Sequence, residues 1–450
     1  MEKGRYGLPT VIAMIVGIVI GSGIFFKSDN ILLATGGSVL LGVAVFLLGA
    51  VGIVFGGLCL GELASRTDRS GGIIAYAEDL AGPPAAAVFG WFQSFVYLPA
   101  IITVVSFAVG VYACQLFGWG RNLGPESLFL LKMGIGMIFT LLCYLVNSLS
   151  ARLGGWFQNA SALAKLVPLL VVGVCGLLFG RPDLSAGETA PALSDGAGWI
   201  SAIAPIAFAF DGWTVAASIS SEVKRAKRNV PLALVLSPVC ILLLYILYFV
   251  GISRYLGPGV IVNQGDAHVE LAAIHLLGSG GAKALLTFVL VSVMGTVNGL
   301  VLGSIRLPYA LALRGLLPGS RILAREHPRF KMPLAAAGLA WAVSLIWAVF
   351  HIAAVGWHLL PNSDVSEVAV GLSYVLYIAL YWQVFRLYRR GDVKGVLRGV
   401  VYPLLAAGGG ILILSGTMHH KLFWPYAGLC GLLLAAAALY ARRAARSGHA

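Results

Sequence analysis

Long stretches of this sequence, at least 20 residues each, contain no aspartate, glutamate, lysine or arginine. They include residues 80–120, 229–253, 284–305, 399–420 and 422–441. About 20 apolar residues form a helix long enough to cross the hydrocarbon layer of a membrane. Backbone groups cannot stay unpaired there, so a crossing segment must be helical or belong to a closed barrel. Barrel strands alternate apolar and polar residues, and these stretches do not. The sequence therefore predicts an all-α integral membrane protein.

The order of apolar runs and interruptions predicts twelve transmembrane helices in a single domain that covers residues 1–450. No soluble domain separates them, in keeping with a charged fraction of only 11%. The predicted spans are 8–33, 38–62, 84–116, 130–149, 156–179, 198–221, 231–254, 283–305, 333–354, 367–386, 399–417 and 422–441.

The distribution of basic residues predicts that both termini lie in the cytoplasm. With the N-terminus inside, 23 of the 31 lysines and arginines fall in cytoplasmic segments, and six fall in external loops or at their edges. Cytoplasmic loops are enriched in these residues. The net charge of +13 is thus explained by membrane topology, and no nucleic-acid partner is indicated. We expect a multi-pass protein of the cell membrane.

The potential metal ligands and nucleophiles form no recognisable site. The six cysteines lie within apolar runs without a CxxC pair, and the eight histidines have no HExxH spacing. No nucleophile–base pair is evident at one membrane depth. We therefore expect no metal, no cofactor, no catalytic residue and no enzyme activity.

Two of the predicted spans are interrupted in their middle. In the first, residues 21–25 read GSGIF, and each glycine weakens a helix by about 1 kcal/mol relative to alanine. In the sixth, residues 208–213 read FAFDGW and place Asp211 between uncharged flanks. An ionisable residue at that depth costs at least ~2.5–3.5 kcal/mol and is a functional-site hypothesis by default.

The two interruptions occupy corresponding places in the chain. The first opens a group of five helices, residues 8–180, and the second opens another five, residues 198–386, with two further helices in 399–441. An odd number of crossings gives the groups opposite orientations, which makes an inverted repeat. Paired interruptions in inverted halves are the best sequence indication of a transporter's substrate site.

Interrupted helices expose backbone groups that suit a zwitterion. Free N–H groups at Ser22, Gly23 and Ile24 would carry part of a positive charge and attract a carboxylate. Free carbonyls at Val19 and in residues 208–211 would attract an ammonium group. An α-amino acid is the simplest ligand with both charges.

Each of these residues also fits a role outside a substrate site. The glycines of GSGIF are compatible with close helix packing alone. Asp211 has three possible roles: a backbone carbonyl donor whose side chain is held locally, a proton-coupling carboxylate, or half of a structural ion pair. Lys165 would otherwise be a paired structural charge. We expect Lys27 and Glu62, at span ends, to reach the membrane interface without a specific role.

Several short motifs, in a fixed order along the chain, point to one protein family. Besides GSGIF and FAFDGW, the chain has SEV at 221–223, NVP at 229–231 and YALALRGLLP at 309–318. With these motifs it resembles the amino acid–polyamine–organocation superfamily, and within it the L-amino acid transporter branch, close to bacterial serine/threonine- and alanine-type exchangers.

The resemblance implies a twelve-helix, LeuT-like fold with a 5+5 inverted repeat, discontinuous helices 1 and 6, and added helices 11 and 12. It implies obligatory exchange of neutral L-amino acids by alternating access. Carried over by position, the substrate-binding residues would be Val19, Ser22, Gly23, Ile24, Phe208 and Asp211.

The resemblance also assigns two special side chains. Phe208 would be the aromatic gate over the bound substrate. Lys165 would occupy the place of a sodium site found in sodium-coupled relatives, which implies sodium-independent transport.

The expected partners are small neutral L-amino acids and membrane lipid. Animal members of this branch carry a cysteine in the loop between spans 3 and 4 that bonds a glycoprotein subunit. Residues 117–131 contain no cysteine, and Cys114 is the nearest. We therefore expect no disulfide-linked heavy subunit.

The main competing functions are a proton-coupled amino acid symporter and a cationic amino acid or polyamine antiporter. The first would use Asp211 as a titrating group, and the second lacks a further evident buried carboxylate for a cationic side chain. Channels and receptors are less well supported, because repeated pore helices, charged rings and a soluble ligand domain are not found in the sequence.

Overall fold

The computed structural model describes residues 7–66, 72–149, 157, 160–180, 198–214, 223–330, 332–359 and 364–446. The regular elements of these ranges are helices. The first half contains α1 Leu8–Val19, α2 Ser22–Ala34, α3 Val39–Ala64, α4 Ile73–Phe92, α5 Leu98–Phe117, α6 Pro125–Leu149, α7 Leu166–Phe179 and α8 Ile203–Ala209. The second half contains α9 Ala226–Leu256, α10 Pro258–Gln264, α11 His268–Leu313, α12 Ser320–Leu323, α13 Leu334–Gly356, α14 Val365–Arg389, α15 Tyr402–Met418 and α16 Phe423–Arg446.

Several of these helices continue through tighter or wider turns. A 3₁₀ turn, Gly198–Ala202, leads into α8, and π-helical turns, Gln93–Tyr97 and Leu397–Val401, precede α5 and α15. Helical residues 73–80 precede the third predicted span, and non-helical backbone at Ala81 and Gly82, just before two prolines, separates them from it. The eighth predicted span is longer than expected because α11 already starts at His268, bends at Gly278 and continues to Leu313.

Eleven helices of the described ranges are long and apolar enough to cross a membrane. The predicted all-α integral membrane fold is thereby confirmed, whereas the count of twelve stays a prediction. The difference arises in the sixth predicted span. Its part Gly198–Ala209 is a short apolar helix, and residues 215–222 lie outside the described ranges.

The outward faces of the helices are apolar. Ile346 and Val349 on α13 are each 67% exposed. In contrast, polar groups such as Ser106, Thr140 and Asn147 are fully buried. This arrangement is the reverse of that in a soluble protein and fits a bundle whose solvent is lipid.

Small residues set the distances between helices. A Cβ atom added at Gly52 of α3 would lie 2.9 Å from the Cα atom of Gly409 on α15. Likewise, a Cβ at Gly61 of α3 would lie 2.9 Å from the Cα atom of Pro231 on α9. Close backbone approach through small residues is the usual way in which helices associate in lipid. These contacts fix the frame in which the two interrupted helices meet.

Candidate functional site

The first interruption lies between α1 and α2. The α1 helix ends at Val19, Ile20 is extended with ψ 104°, and α2 begins at Ser22. No side chain of the described residues caps the N-terminus of α2. Because the first four N–H groups of a helix have no partner within it, this end is free to bind an anion, and the helix dipole favours one there.

The second interruption follows α8. The helix ends at Ala209, and the Asp211 N–H donates to the Phe208 carbonyl at 3.0 Å. Gly212 has φ +94°, a conformation that side chains other than hydrogen rarely allow. This turn ends α8 in the middle of the sixth predicted span, so the negative end of its helix dipole lies there.

The two interruptions touch one another. A Cβ atom at Gly23 would lie 2.5 Å from the Cα atom of Ala209, so only glycine fits at this crossing. Tyr245 of α9 joins the breaks as well, because its hydroxyl can donate to the Val19 carbonyl at 3.1 Å or the Ala209 carbonyl at 2.8 Å.

A cavity of about 20 Å³ lies where the breaks meet. Its lining residues come from both interrupted helices, from α5 and from α11, and are Ile18, Val19, Gly21, Gly23, Ile101, Val105, Phe208, Asp211, Thr296 and Leu300. This volume holds about one water molecule and is too small for an amino acid. The helix ends around it therefore surround a space that, in this structure, is too narrow for a substrate.

Four of the predicted binding residues, Val19, Gly23, Phe208 and Asp211, line this one cavity. Ile24 lies in the first turn of α2, and its side chain is fully buried. The Ser22 backbone starts α2, while its side chain lies outside the described part of the chain. The expected coordination by backbone groups stays a prediction, since it depends on a bound substrate.

Asp211 is held by a tyrosine. Its carboxylate accepts a hydrogen bond from the Tyr97 hydroxyl, which belongs to the π-helical turn before α5. Among the described residues, the ion pairs do not include Asp211. A hydroxyl partner therefore satisfies this partly buried carboxylate.

Lys165 lies behind the first interruption, at the start of α7, and is fully buried. Its ammonium group donates to the Gly17 carbonyl and, at 2.8 Å, to the Thr296 hydroxyl. Thr296 also lines the cavity. Within the described ranges Lys165 forms no ion pair, so neutral oxygens of α1 and α11 are the groups that hold its charge.

Lys27 contradicts the sequence-based expectation that it reaches the membrane interface. It is 1% exposed and pairs with Asp364 at 2.6 Å and Glu367 at 2.5 Å. Its ammonium group also lies 5.3 Å from the ring centroid of Phe208. The prediction failed because both carboxylates lie more than 330 positions away in the chain, |i−j| being 337 and 340, where helical spacing gives no information.

Sequence reasoning also missed Tyr97, Tyr245 and Thr296. Each is a polar residue within an apolar span, and that is the only signal that a single sequence offers. Which neighbour each one meets depends on the register of helices that are far apart in the chain.

Comparison with known proteins shows which family and which proteins the chain is similar to. Residues 6–441 match the family model described as amino acid permease. The chain is 30% identical over 425 residues to the serine/threonine exchanger SteT of Bacillus subtilis (strain 168), covering 92% of this chain and 91% of that one. It is 28% identical over 318 residues to the mouse b(0,+)-type amino acid transporter 1, covering 69% and 63%. It is 28% identical over 341 residues to the human cystine/glutamate transporter, covering 74% and 66%.

Proposed function

The chain belongs to the amino acid permease family and is a multi-pass membrane transporter of amino acids, and we propose that it exchanges small neutral L-amino acids without sodium. Its family and relatives are transporters rather than enzymes. We further propose that the chain is one transporter domain, with inverted repeats in 8–180 and 198–386 and two added helices in 399–441.

The meeting of two interrupted helices at one cavity carries this proposal. The start of α2 presents N–H groups to a substrate carboxylate, while the ends of α1 and α8 present carbonyls to its ammonium group. Both sets of groups are backbone atoms, so they recognise the part that all α-amino acids share. Charge-assisted hydrogen bonds of this kind contribute roughly 1.5–3 kcal/mol each.

Small size and neutrality of the substrate are supported by the walls of the cavity. Ile101, Val105 and Leu300 are apolar, and Thr296 is bound to Lys165. Asp211, the acidic residue of the lining, is occupied by Tyr97. A bulky or cationic side chain would meet no free partner there. Serine, threonine and alanine are the substrates that we propose, and the similarity to a serine/threonine exchanger supports them.

Sodium independence is supported by Lys165. Its buried side-chain nitrogen bridges Gly17 of α1 and Thr296 of α11, so oxygens that could bind a cation between these helices already have a donor. We expect Lys165→Met to slow exchange by at least about tenfold, because two buried oxygens lose a charged donor worth ~1.5–3 kcal/mol. The measurement is the initial exchange rate of the folded variant. A wild-type rate in this variant would contradict the bridging role.

Counterflow in proteoliposomes tests the exchange itself. Vesicles loaded with unlabelled L-serine should take up labelled L-serine, at equal rates in sodium and choline buffers, and empty vesicles should not. A sodium requirement would overturn sodium independence. Uptake into empty vesicles driven only by a pH gradient would favour the proton-coupled symporter, the second candidate, for which Asp211 at the cavity is the relevant observation.

For location, we propose the cell membrane with both termini in the cytoplasm. The transporter is proposed to work without a disulfide-linked heavy subunit. Reconstituted exchange by the purified chain alone tests the second point. Accessibility of tags at the two termini in intact cells tests the orientation.

A further inference from the structure

A second cavity, of about 310 Å³, lies away from the substrate site. It is bordered by the last turn of α3, the first turns of α9 and the start of the helix that leads into α15. Its lining includes Leu58, Glu62, Lys227, Pro231, Arg398 and Tyr402. By the orientation proposed above, these are cytoplasmic helix ends, at the depth of lipid headgroups.

The charged side chains of this cavity leave a positive excess. Glu62 is paired with Arg66 at 2.7 Å. In the described part of the chain, the ion pairs include neither Lys227 nor Arg398. Two cations therefore face one cavity whose carboxylate already has a partner.

The backbone adds to this excess. Lys227 is the second residue of α9, Ala226–Leu256, and Arg398 lies in the first turn of the continuous helix Leu397–Met418. Neither segment has an acidic residue in its first turn, and no side chain of the described residues caps either one. Helix starts carry partial positive charge, so an anion is the ligand that would balance this end of the cavity.

The remaining lining is apolar and leads toward lipid. Leu58, Pro231 and Tyr402 share the cavity with the two cations. Deeper in the membrane, the neighbouring helix surfaces expose Leu232 and Leu404, the latter at 65%. A ligand with a charged phosphate and an apolar tail matches both parts of this surface.

We propose that this cavity binds the phosphate group of an anionic phospholipid of the cytoplasmic leaflet. Lys227 and Arg398 contact the phosphate, and the acyl chains follow the apolar faces of α9 and α15. The bound headgroup joins α9 to the start of the α15 segment at a place where the helices themselves leave a gap. A free phosphate compound shares the same chemistry, and the experiment separates the two sources.

The test uses the purified full-length protein in a neutral detergent. Phosphatidylglycerol, phosphatidylcholine and inorganic phosphate are each titrated, and bound lipid is counted by native mass spectrometry while thermal unfolding is followed. The double variant Lys227→Gln/Arg398→Gln is compared with Lys224→Gln/Lys394→Gln, which removes the same charge from exposed positions outside the cavity lining.

We expect phosphatidylglycerol to bind the wild type and the Lys224/Lys394 control alike. The Lys227/Arg398 variant should bind it at least about tenfold more weakly, since each basic residue near an anionic headgroup contributes about fivefold. Arg398→Lys, which keeps the charge, should retain most of the affinity and shows that loss is not a folding defect. Equal weakening in both double variants would overturn the site in favour of general surface attraction. Saturation by inorganic phosphate, with no preference for phosphatidylglycerol over phosphatidylcholine, would overturn the lipid assignment.

Discussion

Among single residues, Gly23 is the one on which the site geometry depends most directly. Because Gly23 has no side chain, α2 can pack directly against α8. A Cβ atom at this position would lie only 2.5 Å from the Cα atom of Ala209. We expect Gly23→Val to reduce exchange by at least about tenfold, because overpacking a tight contact costs ~1–3 kcal/mol. Counterflow measures the rate, and size-exclusion chromatography verifies the fold.

The matched control for this change is Gly338→Val in α13. A Cβ atom at Gly338 would meet nothing within 4 Å, so this variant adds the same atoms to a helix glycine without a crossing. It should exchange at the wild-type rate. Normal exchange by Gly23→Val would place the substrate site elsewhere.

A substitution at Asp211 distinguishes an exchanger from a proton-coupled symporter. If its backbone carbonyl is the functional group, Asp211→Asn keeps that carbonyl and an oxygen that accepts from Tyr97. We expect exchange within about fivefold of the wild type, the difference between a charged and a neutral hydrogen bond. Rates measured across external pH should then run parallel for both proteins. A pH dependence present in the wild type and absent from the variant would identify Asp211 as a proton carrier.

The sequence indicated these residues for a definite physical reason. A glycine pair or a carboxylate in the middle of a transmembrane helix raises the free energy of inserting that helix into lipid. This cost can be recognised from the neighbouring sequence alone. Lys27 shows the limit of this reasoning, because its position near a span end allowed an interfacial location. Only its long-range contacts with Asp364 and Glu367 reveal a buried charge.

At the scale of helices, the ion pairs of Lys27 with Asp364 and Glu367 join α2 to the N-terminal end of α14. Breaking a buried ion pair from one side costs ~3–5 kcal/mol, because the partner charge stays buried. We therefore expect Lys27→Met to lower the thermal unfolding midpoint of the purified protein markedly. The exposed Lys421→Met should leave the midpoint unchanged.

The triple variant Lys27→Met/Asp364→Asn/Glu367→Gln tests the cause of that loss. It removes the stranded carboxylate charges together with the lysine, so part of the stability should return. A triple variant as unstable as Lys27→Met alone would show that packing of the lysine chain, rather than its charge, holds α2 to α14.

Helix positions were largely predictable, whereas contacts between helices were not. Span limits follow from the length of apolar runs, and α13 at Leu334–Gly356 lies within two residues of the predicted 333–354. The predicted start of the third span at residue 84 agrees with the non-helical backbone at Ala81 and Gly82, whereas the helical residues 73–80 before this bend were not predicted. Which of the many glycines mark crossings, as Gly52 and Gly409 do, depends on helix rotation and is not encoded in their spacing alone.

For the molecule as a whole, the narrow cavity sets a requirement on the transport cycle. A space of about 20 Å³ admits no amino acid, so under the proposed function we expect the two interrupted helices to move relative to α5 and α11 before substrate enters. We propose that rocking of one helix group against the other provides this access alternately from the two sides.

Val105 offers a direct probe of that movement. It lines the cavity and is 2% exposed, so Val105→Cys is shielded in the closed form, and its labelling reports opening. In a background without the six native cysteines, we expect a membrane-impermeant thiol reagent to label Val105→Cys from either side of the proteoliposome. Saturating L-serine should slow labelling, because the substrate fills the space that the reagent must enter.

The control is Ile138→Cys, at a side chain that is 64% exposed on the apolar outer face of α6. It should stay unlabelled, since thiols in hydrocarbon do not ionise or meet the reagent. Labelling of Val105→Cys from one side only, under conditions of rapid exchange, would contradict alternating access through this cavity.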